Sequence, residues 1–212
     1  MIALGFAVDG VRVERYAVAP LIALQLRVTE STGAELHSIA LRVQVRIEPR
    51  GRRYTADESG KLIDMFGPPE RYGTTLQPLL WTHVAAMVHG FSGATTVDVQ
   101  LPVSYDFEVA ANKYLGALEA GEIPLLLLFS GTVFVRAENG FAVELIPWEL
   151  EARFRLPVSA WREAIDAFFP GTAWIRLGRD AFDELARFKS ARGLPTWDAA
   201  LAALRDAAAV KP

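Results

Sequence analysis

IALRVQVRIE, residues 39–48, carries the clearest structural signal in this sequence. Polar side chains at Arg42, Gln44 and Arg46 alternate with apolar ones along the whole segment. Because successive side chains on a strand point to opposite faces, the alternation predicts a strand with one buried and one solvated face. The predicted buried face consists of Ile39, Leu41, Val43, Val45 and Ile47.

The segment Leu21–Val28, on the N-terminal side, shows the same alternation. Its predicted buried face consists of Ile22, Leu24, Leu26 and Val28. The intervening residues Glu30-Ser31-Thr32-Gly33 have the composition of a turn. The two strands are therefore predicted to pair as an antiparallel hairpin.

On the C-terminal side, Thr55 and Glu58 stand at the spacing of a capping box, in which each side chain satisfies a backbone amide of the other residue. This spacing predicts a short helix that runs to Phe66. The helix is predicted to end at Gly67-Pro68-Pro69, because neither proline can continue the hydrogen-bond ladder.

Further segments are predicted as strands: Trp81–His89, Thr95–Tyr105, Ile123–Val135, Phe141–Ile146 and Glu151–Leu156. Pro102 indicates that its strand lies at an edge or contains a bulge. The almost wholly apolar run Ile123–Val135 predicts a central strand covered on both faces, with a bulge at Ser130-Gly131. A short helix is predicted over Val109–Ala120.

From Pro157 onward the apolar spacing changes from two residues to about 3.6, the period of a helix. Helices are predicted to begin near Ser159, Asp180 and Thr196, with Ser159 and Thr196 as N-caps. Strands followed by helices are typical of the α+β class, so we predict an antiparallel β-sandwich or a strongly curved sheet with a C-terminal helical subregion. The predicted parts are a β-rich core domain at residues 1–156 and a helical region at residues 157–212 packed on that core.

Composition excludes several classes of protein. The formal net charge is −3, so the basic footprint of a nucleic-acid binder is absent from the sequence. The sequence contains no cysteine, which excludes disulfides, thiolate metal sites and thiol catalysis, and we predict no cofactor. The apolar run Ile123–Phe129 is far shorter than the roughly 20 residues of a membrane-spanning helix. We therefore predict no membrane insertion, and we predict a cytoplasmic location because the N-terminus lacks the basic region of a signal peptide.

One local cluster of positive charge comprises Arg46, Arg50, Arg52 and Arg53. Short charge clusters usually solvate the end or edge of a strand, and this is the simpler interpretation. The alternative is a contact site for a small anion or for an acidic partner.

Two of the three histidines are the candidate ligand-binding residues. His83 and His89 are six residues apart on a predicted strand, where they would share a face with Trp81. With a carboxylate from Asp98 or Asp106, this face could hold a metal ion. The spacing matches no recognised metal motif, however, and ordinary hydrogen-bonding histidines are the simpler interpretation. We predict no metal site and no catalytic residue.

Four of the five tryptophans lie in the last third of the chain. Such large apolar side chains suit a seam between helices and sheet, and they equally suit a partly exposed surface that binds a partner. The sequence leaves both interpretations open. The candidate partner-binding residues are Trp148, Trp161, Trp174 and Trp197.

Eight segments stand out together: RIEPRGRRY (46–54), LIDMFGPPERY (62–72), LWTHV (80–84), YDFEV (105–109), GEIPL (121–125), LFSGT (128–132), IPW (146–148) and RLPVSAW (155–161). Over nearly the whole chain they resemble an uncharacterised bacterial family, a domain of unknown function. The resemblance implies an association with gene neighbourhoods of actinobacterial-type nickel–iron hydrogenases, and hence an accessory, maturation or assembly role. It carries over no site residue, and a chain without cysteine is not expected to be a metal-carrying hydrogenase subunit.

Three functions are compatible with these observations. The favoured prediction is an accessory or chaperone-like protein that holds an apolar segment of a protein partner on its sheet or along its tryptophans. A small-ligand-binding protein or enzyme would need Trp81, His83 and His89 to line one pocket. A structural homo-oligomer would be built through sheet edges or helices.

Overall fold

The computed structural model of the chain describes residues 2–104, 109–138, 140–172 and 175–209. It divides into two compact units, residues 1–173 and residues 174–212. The strands of the first unit are β1 (Leu4–Val13), β2 (Leu21–Glu30), β3 (Leu36–Ile47), β4 (Leu79–Phe91), β5 (Ala94–Pro102), β6 (Glu122–Ala137), β7 (Gly140–Leu145) and β8 (Glu151–Pro157). Its α-helices are α1 (Ala56–Lys61), α2 (Ile63–Phe66), α3 (Tyr72–Thr75), α4 (Ala110–Ala117) and α5 (Val158–Asp166), and the second unit contains α6 (Arg179–Ala191) and α7 (Trp197–Ala209).

The strands form two antiparallel sheets. Sheet A has the order β1-β2-β5, and sheet B has the order β4-β3-β6-β7, with β8 paired to the first half of β6. The sheets pack face to face, and the ring of Phe6 on β1 stacks on the ring of Phe129 on β6 with 4.1 Å between centroids. The predicted α+β fold with an antiparallel β-sandwich is confirmed.

The two apolar rows predicted from alternation point into the sandwich. The structure buries both rows: Ile22, Leu24, Leu26 and Val28 on β2, and Ile39, Leu41, Val43, Val45 and Ile47 on β3. Burying one such side chain contributes roughly 1.5–3 kcal/mol, so these rows are a major source of stability. Pro102 lies on β5, which pairs only with β2 among the described strands, as predicted for an edge strand.

The predicted hairpin between β2 and β3 is wrong. These strands belong to different sheets, so the segment after Glu30 crosses the sandwich. A turn composition indicates that the chain changes direction, but it does not indicate the sheet in which the next strand pairs. The buried carboxylate of Glu30 holds this crossing, because it accepts hydrogen bonds from the amides of Ala3, Thr32 and Ala34 and from the Thr32 hydroxyl.

Stability is expected to depend on the ionisation of Glu30. The hydrogen bond from the Thr32 hydroxyl, helped by backbone donors, outweighs burial and lowers the pKa of Glu30 from 4.5 to about 2. A lowered folded-state pKa stabilises the fold above pH 4.5, and this contribution is lost as the pH falls towards 2. Urea midpoints of the wild type should fall over this range more than those of Glu30→Gln, which has no carboxylate to protonate. Glu70→Gln, at an exposed position, is the control, and its urea midpoints should change with pH as those of the wild type do. If the midpoints of Glu30→Gln and of the wild type changed with pH in the same way, the prediction would be contradicted.

β6 takes the central place predicted for Ile123–Val135, between β3 on one side and β7 and β8 on the other. Its inner side chains are buried up to Val133, and Val135 is half-buried. On the outer face Leu126 and Leu128 are half-buried and Ser130 is exposed. The prediction that both faces are covered is therefore wrong. The predicted bulge at Ser130-Gly131 is also wrong, since β6 pairs with β3 without a shift along residues 38–47.

An insertion with short helices connects β3 to β4. The predicted capping box is present: the Glu58 amide donates to the Thr55 hydroxyl, and the Thr55 amide donates to the Glu58 carboxylate, both at 3.1 Å. The predicted helix is interrupted at Leu62, which separates α1 from α2, and it buries Leu62 and Phe66 as expected. Gly67 ends it with a positive φ of 72°, which glycine adopts without strain.

α5 belongs to the first unit, where it packs against β1, β2 and β8. In the second unit α6 packs on α7, with the rings of Phe182 and Trp197 5.4 Å apart. Thr196 caps α7 as predicted, since its hydroxyl accepts a hydrogen bond from the Ala199 amide. The predicted cap at Ser159 is wrong, because α5 begins at Val158 and has no side-chain cap. The packing of residues 157–212 on the core as one helical region stays a prediction. None of the helices in the described ranges has the length and apolar character needed to span a bilayer.

Candidate functional site

The structure does not bring His83 and His89 together. Both lie on the exposed outer face of β4, but six residues of extended strand separate them by about 20 Å. His83 Nε2 lies 3.0 Å from Nε2 of Gln44 on β3, and His89 lies opposite Ser38. Since each ligand atom must lie within roughly 2 Å of a shared metal ion, the two histidines cannot bind the same ion in this arrangement.

Trp81 does not join either histidine. The pairing of β3 with β4 shifts between Val45 and Arg46, so Trp81 has no partner residue on β3. Its side chain packs against the core. A bulge shifts by one residue which side chains point inward, so the alternation in the sequence could not predict that Trp81 faces the core. Asp98 lies on β5 in the other sheet, and Asp106 lies outside the described residues. In the described ranges, no three His, Cys, Asp or Glu side chains cluster so as to hold a metal ion.

The four candidate tryptophans lie in different environments. Trp161 on α5 is 4 % exposed and belongs to the core, so the seam interpretation applies to this residue. Trp148, between β7 and β8, is 89 % exposed. Trp197 on α7 is half-exposed, and the Lys189 Nζ lies 5.4 Å from its ring centre. Trp174 lies outside the described residues.

Trp148 follows a row of exposed apolar side chains on β7. Phe141, Val143 and Leu145 share one face of the strand and are 55 %, 60 % and 74 % exposed. The opposite side of β7, which continues the inner face of sheet B, carries Glu144 instead. β7 therefore presents its large apolar side chains to solvent, the reverse of the usual arrangement in a sandwich.

The outer face continues across sheet B, where Thr132 and Ala40 are half-buried and Met87 is 55 % exposed. The register places Leu145 opposite Thr132 on β6, Thr132 opposite Ala40 on β3, and Ala40 opposite Met87 on β4. With strands about 4.8 Å apart, this row crosses about 14 Å of the sheet. We define the apolar band as Ala40, Met87, Phe134, Phe141, Val143 and Leu145 on the outer face of sheet B, together with Trp148. In the sequence, the alternation within residues 141–145 indicated this row of apolar side chains. The alternation does not show whether the row faces the core or solvent.

The whole chain, residues 1–212, matches a family of unknown function, DUF6084. The chain belongs to that family. The resemblance to a domain-of-unknown-function family is thereby confirmed, whereas the match carries no link to hydrogenases. No curated protein matches the sequence of this DUF6084 chain.

Solved structures resemble this DUF6084 chain at low identity. A β-glucosidase from Kluyveromyces marxianus is 14 % identical with a TM-score of 0.28, over 73 % of this chain and 15 % of the β-glucosidase. A β-glucosidase from Paenibacillus barengoltzii is 14 % identical with a TM-score of 0.30, over 74 % and 15 % of the two chains. The CARDB domain of the PF1109 protein from Pyrococcus furiosus, solved with di-metal ions, is 11 % identical with a TM-score of 0.28, over 74 % and 92 %. The DUF6084 chain thus spans about 15 % of these β-glucosidases, and likenesses at this level carry no functional argument.

Proposed function

We propose that this DUF6084 protein is a non-enzymatic accessory protein that binds a protein partner through the apolar band. The observation that carries the proposal is the exposure of Phe141, Val143, Leu145 and Trp148 on and beyond one short strand. Contiguous apolar surface on a soluble protein marks a contact site, because leaving it in water is unfavourable. Covering each of these side chains with a partner would contribute roughly 1.5–3 kcal/mol.

The backbone of β7 supports the same proposal. Among the described strands β7 pairs only with β6, so its second edge has no strand partner in that part of the chain. An extended segment of a partner can add to such an edge, with main-chain hydrogen bonds for affinity and side-chain contacts for selectivity. The proposed partner segment is therefore extended and apolar, which is the kind of client that a chaperone-like protein holds.

A finer assignment comes from the sequence resemblance. We propose that the partner is a subunit or maturation factor of a nickel–iron hydrogenase, and that binding occurs in the cytoplasm. Co-purification of the tagged protein with each hydrogenase component, expressed one at a time, tests this assignment. Binding to none of them would overturn the hydrogenase role and leave the apolar band to be tested with other partners.

Val143→Asp is expected to weaken partner binding by about tenfold or more, because it places a charge in an apolar contact. The partner would be recovered with the tagged wild type, identified by mass spectrometry, and titrated against each variant by biolayer interferometry. Val18→Asp is the matched control, since Val18 is fully exposed between β1 and β2 and lies outside the apolar band. Equal affinities for the two variants would contradict a role for the band.

The edge of β7 also permits pairing with a second copy, which is the homo-oligomer that the sequence left as an alternative. Sedimentation equilibrium distinguishes the two uses of the surface. A dimer that dissociates in Val143→Asp would assign the apolar band to self-association. A wild-type monomer would exclude that alternative.

A further inference from the structure

Arginine side chains cluster where the insertion between β3 and β4 meets the start of β6. Arg50, Arg52 and Arg53 line two clefts, of about 640 Å³ and about 600 Å³. Arg155 on β8 contributes to the first cleft, and Tyr72 on α3 contributes to the second. We refer to the two clefts, which share the three arginines, as the basic cleft.

Arg50 and Arg53 carry the positive charge available to a ligand. Arg50 donates to the backbone carbonyl of Gly73, Arg53 is exposed, and neither forms an ion pair with any residue that the structure describes. Arg52 and Arg155, in contrast, are paired with glutamates. In a chain whose net charge is −3, two neighbouring guanidinium groups without an ion-pair partner among the described residues produce a local attraction for anions.

The segment that bears these arginines is held in place by the protein itself. The Arg52 guanidinium lies 2.7 Å from the buried Glu58 carboxylate. The Tyr54 hydroxyl donates to the Pro49 carbonyl at 2.6 Å and lies 2.9 Å from the Tyr114 hydroxyl. Burial raises the pKa of Tyr54, so this hydroxyl keeps its proton and remains a donor. Because the backbone of the segment is fixed at both ends, anion binding has to order only the exposed side chains of Arg50 and Arg53.

We propose that the basic cleft binds small organic phosphates. Arg50 and Arg53 present forks of N–H donors that match phosphate oxygens. A phosphate monoester carries close to two negative charges at neutral pH, which the two unpaired guanidinium groups balance. Pro69 and the ring of Tyr72 provide an apolar wall for the organic part.

Isothermal titration calorimetry with phenyl phosphate and with inorganic phosphate tests the proposal. We expect the wild type to bind both, and phenyl phosphate more tightly because only this probe has an organic part. Arg50→Gln and Arg53→Gln should each weaken phenyl phosphate binding about tenfold, since each removes charge-assisted hydrogen bonds. Arg42→Gln is the matched control: Arg42 is an exposed arginine on the outer face of sheet B, and its replacement should leave binding unchanged.

The proposal would be overturned if phenyl phosphate showed no saturable binding to the wild type. It would also be overturned if Arg42→Gln weakened phenyl phosphate binding as much as Arg53→Gln. A phosphotyrosine peptide that binds where phenyl phosphate does not would assign the cleft to a macromolecule and equally overturn it. Arg53→Lys, which keeps the charge but loses the fork, should bind with an affinity between those of the wild type and Arg53→Gln. Val143→Asp should bind phenyl phosphate like the wild type. A failed proposal for the basic cleft can therefore be distinguished from a failed proposal for the apolar band.

Discussion

Gly131→Ala is expected to destabilise the protein by roughly 3–5 kcal/mol. Gly131 lies on β6 against β3, and a Cβ atom added to it would stand 2.1 Å from the carbonyl oxygen of Ala40. Its φ of 143° also lies in a region that residues with side chains rarely adopt. The carbonyl cannot easily move away, because β3 is paired with β4 on one side and with β6 on the other.

Urea unfolding followed by tryptophan fluorescence measures this loss. Gly60→Ala is the matched control, because Gly60 lies in α1 and a Cβ added to it meets no atom within 4 Å beyond its chain neighbours and the local helix backbone. Alanine at a helical position should raise the free energy of unfolding by about 0.5–1 kcal/mol, a change of opposite sign. A loss below about 1 kcal/mol in Gly131→Ala would contradict the close approach of β3 and β6.

The second large effect is expected for Glu58→Ala, with a loss of roughly 3–5 kcal/mol. The buried Glu58 carboxylate binds Arg52 and accepts hydrogen bonds from the Glu119 amide at 2.9 Å and the Thr55 amide at 3.1 Å. Burial alone would raise the pKa of Glu58, but these donors together lower it. Alanine removes the acceptor and leaves a guanidinium and two amides without their partner inside the protein.

Asp57→Ala, at the preceding residue of the same helix, is the control for Glu58→Ala. Asp57 is exposed and contributes only through the helix dipole, so its replacement should change the free energy of unfolding by less than about 1 kcal/mol. The double variant Arg52→Met, Glu58→Met should be more stable than Glu58→Ala, because it leaves no unpaired buried charge. Urea unfolding of the four proteins measures both differences. Equal stability of Glu58→Ala and Asp57→Ala would show that the carboxylate is not needed.

Features that depend on neighbouring residues in the chain could be predicted from the sequence. The buried rows of β2 and β3 follow from alternation, because side chains two residues apart share a face. The cap formed by Thr55 and Glu58 joins residues three positions apart, and Gly67 ends the helix through its own backbone conformation. The basic run at residues 50–53 was visible as well, although its place in a cleft was not.

Features that depend on strand pairing could not be predicted in this way. Trp81 turns towards the core because of a bulge in the pairing of β4 with β3, so the proposed wall with His83 and His89 does not form. Ser130-Gly131 resembles a bulge in sequence, yet the structure uses Gly131 for close contact between paired strands. The Glu58 carboxylate is expected to matter for stability because it binds both Arg52 and the Glu119 amide, which lie on opposite sides of it in the sequence. Glu119 is 61 residues further along the chain.

By itself, the sequence determined the α+β class, the inward rows of β2 and β3, the helix caps at Thr55, Gly67 and Thr196, and the exclusion of cysteine chemistry. Only the tertiary structure decided which strands are neighbours, and therefore that the chain crosses between sheets after Glu30 and that the apolar row of β7 faces solvent. The physical reason is that alternation sorts side chains into an apolar and a polar face, whereas the packing of the sheets decides which face of each strand is covered. That choice depends on hydrogen bonds and packing between residues distant in sequence.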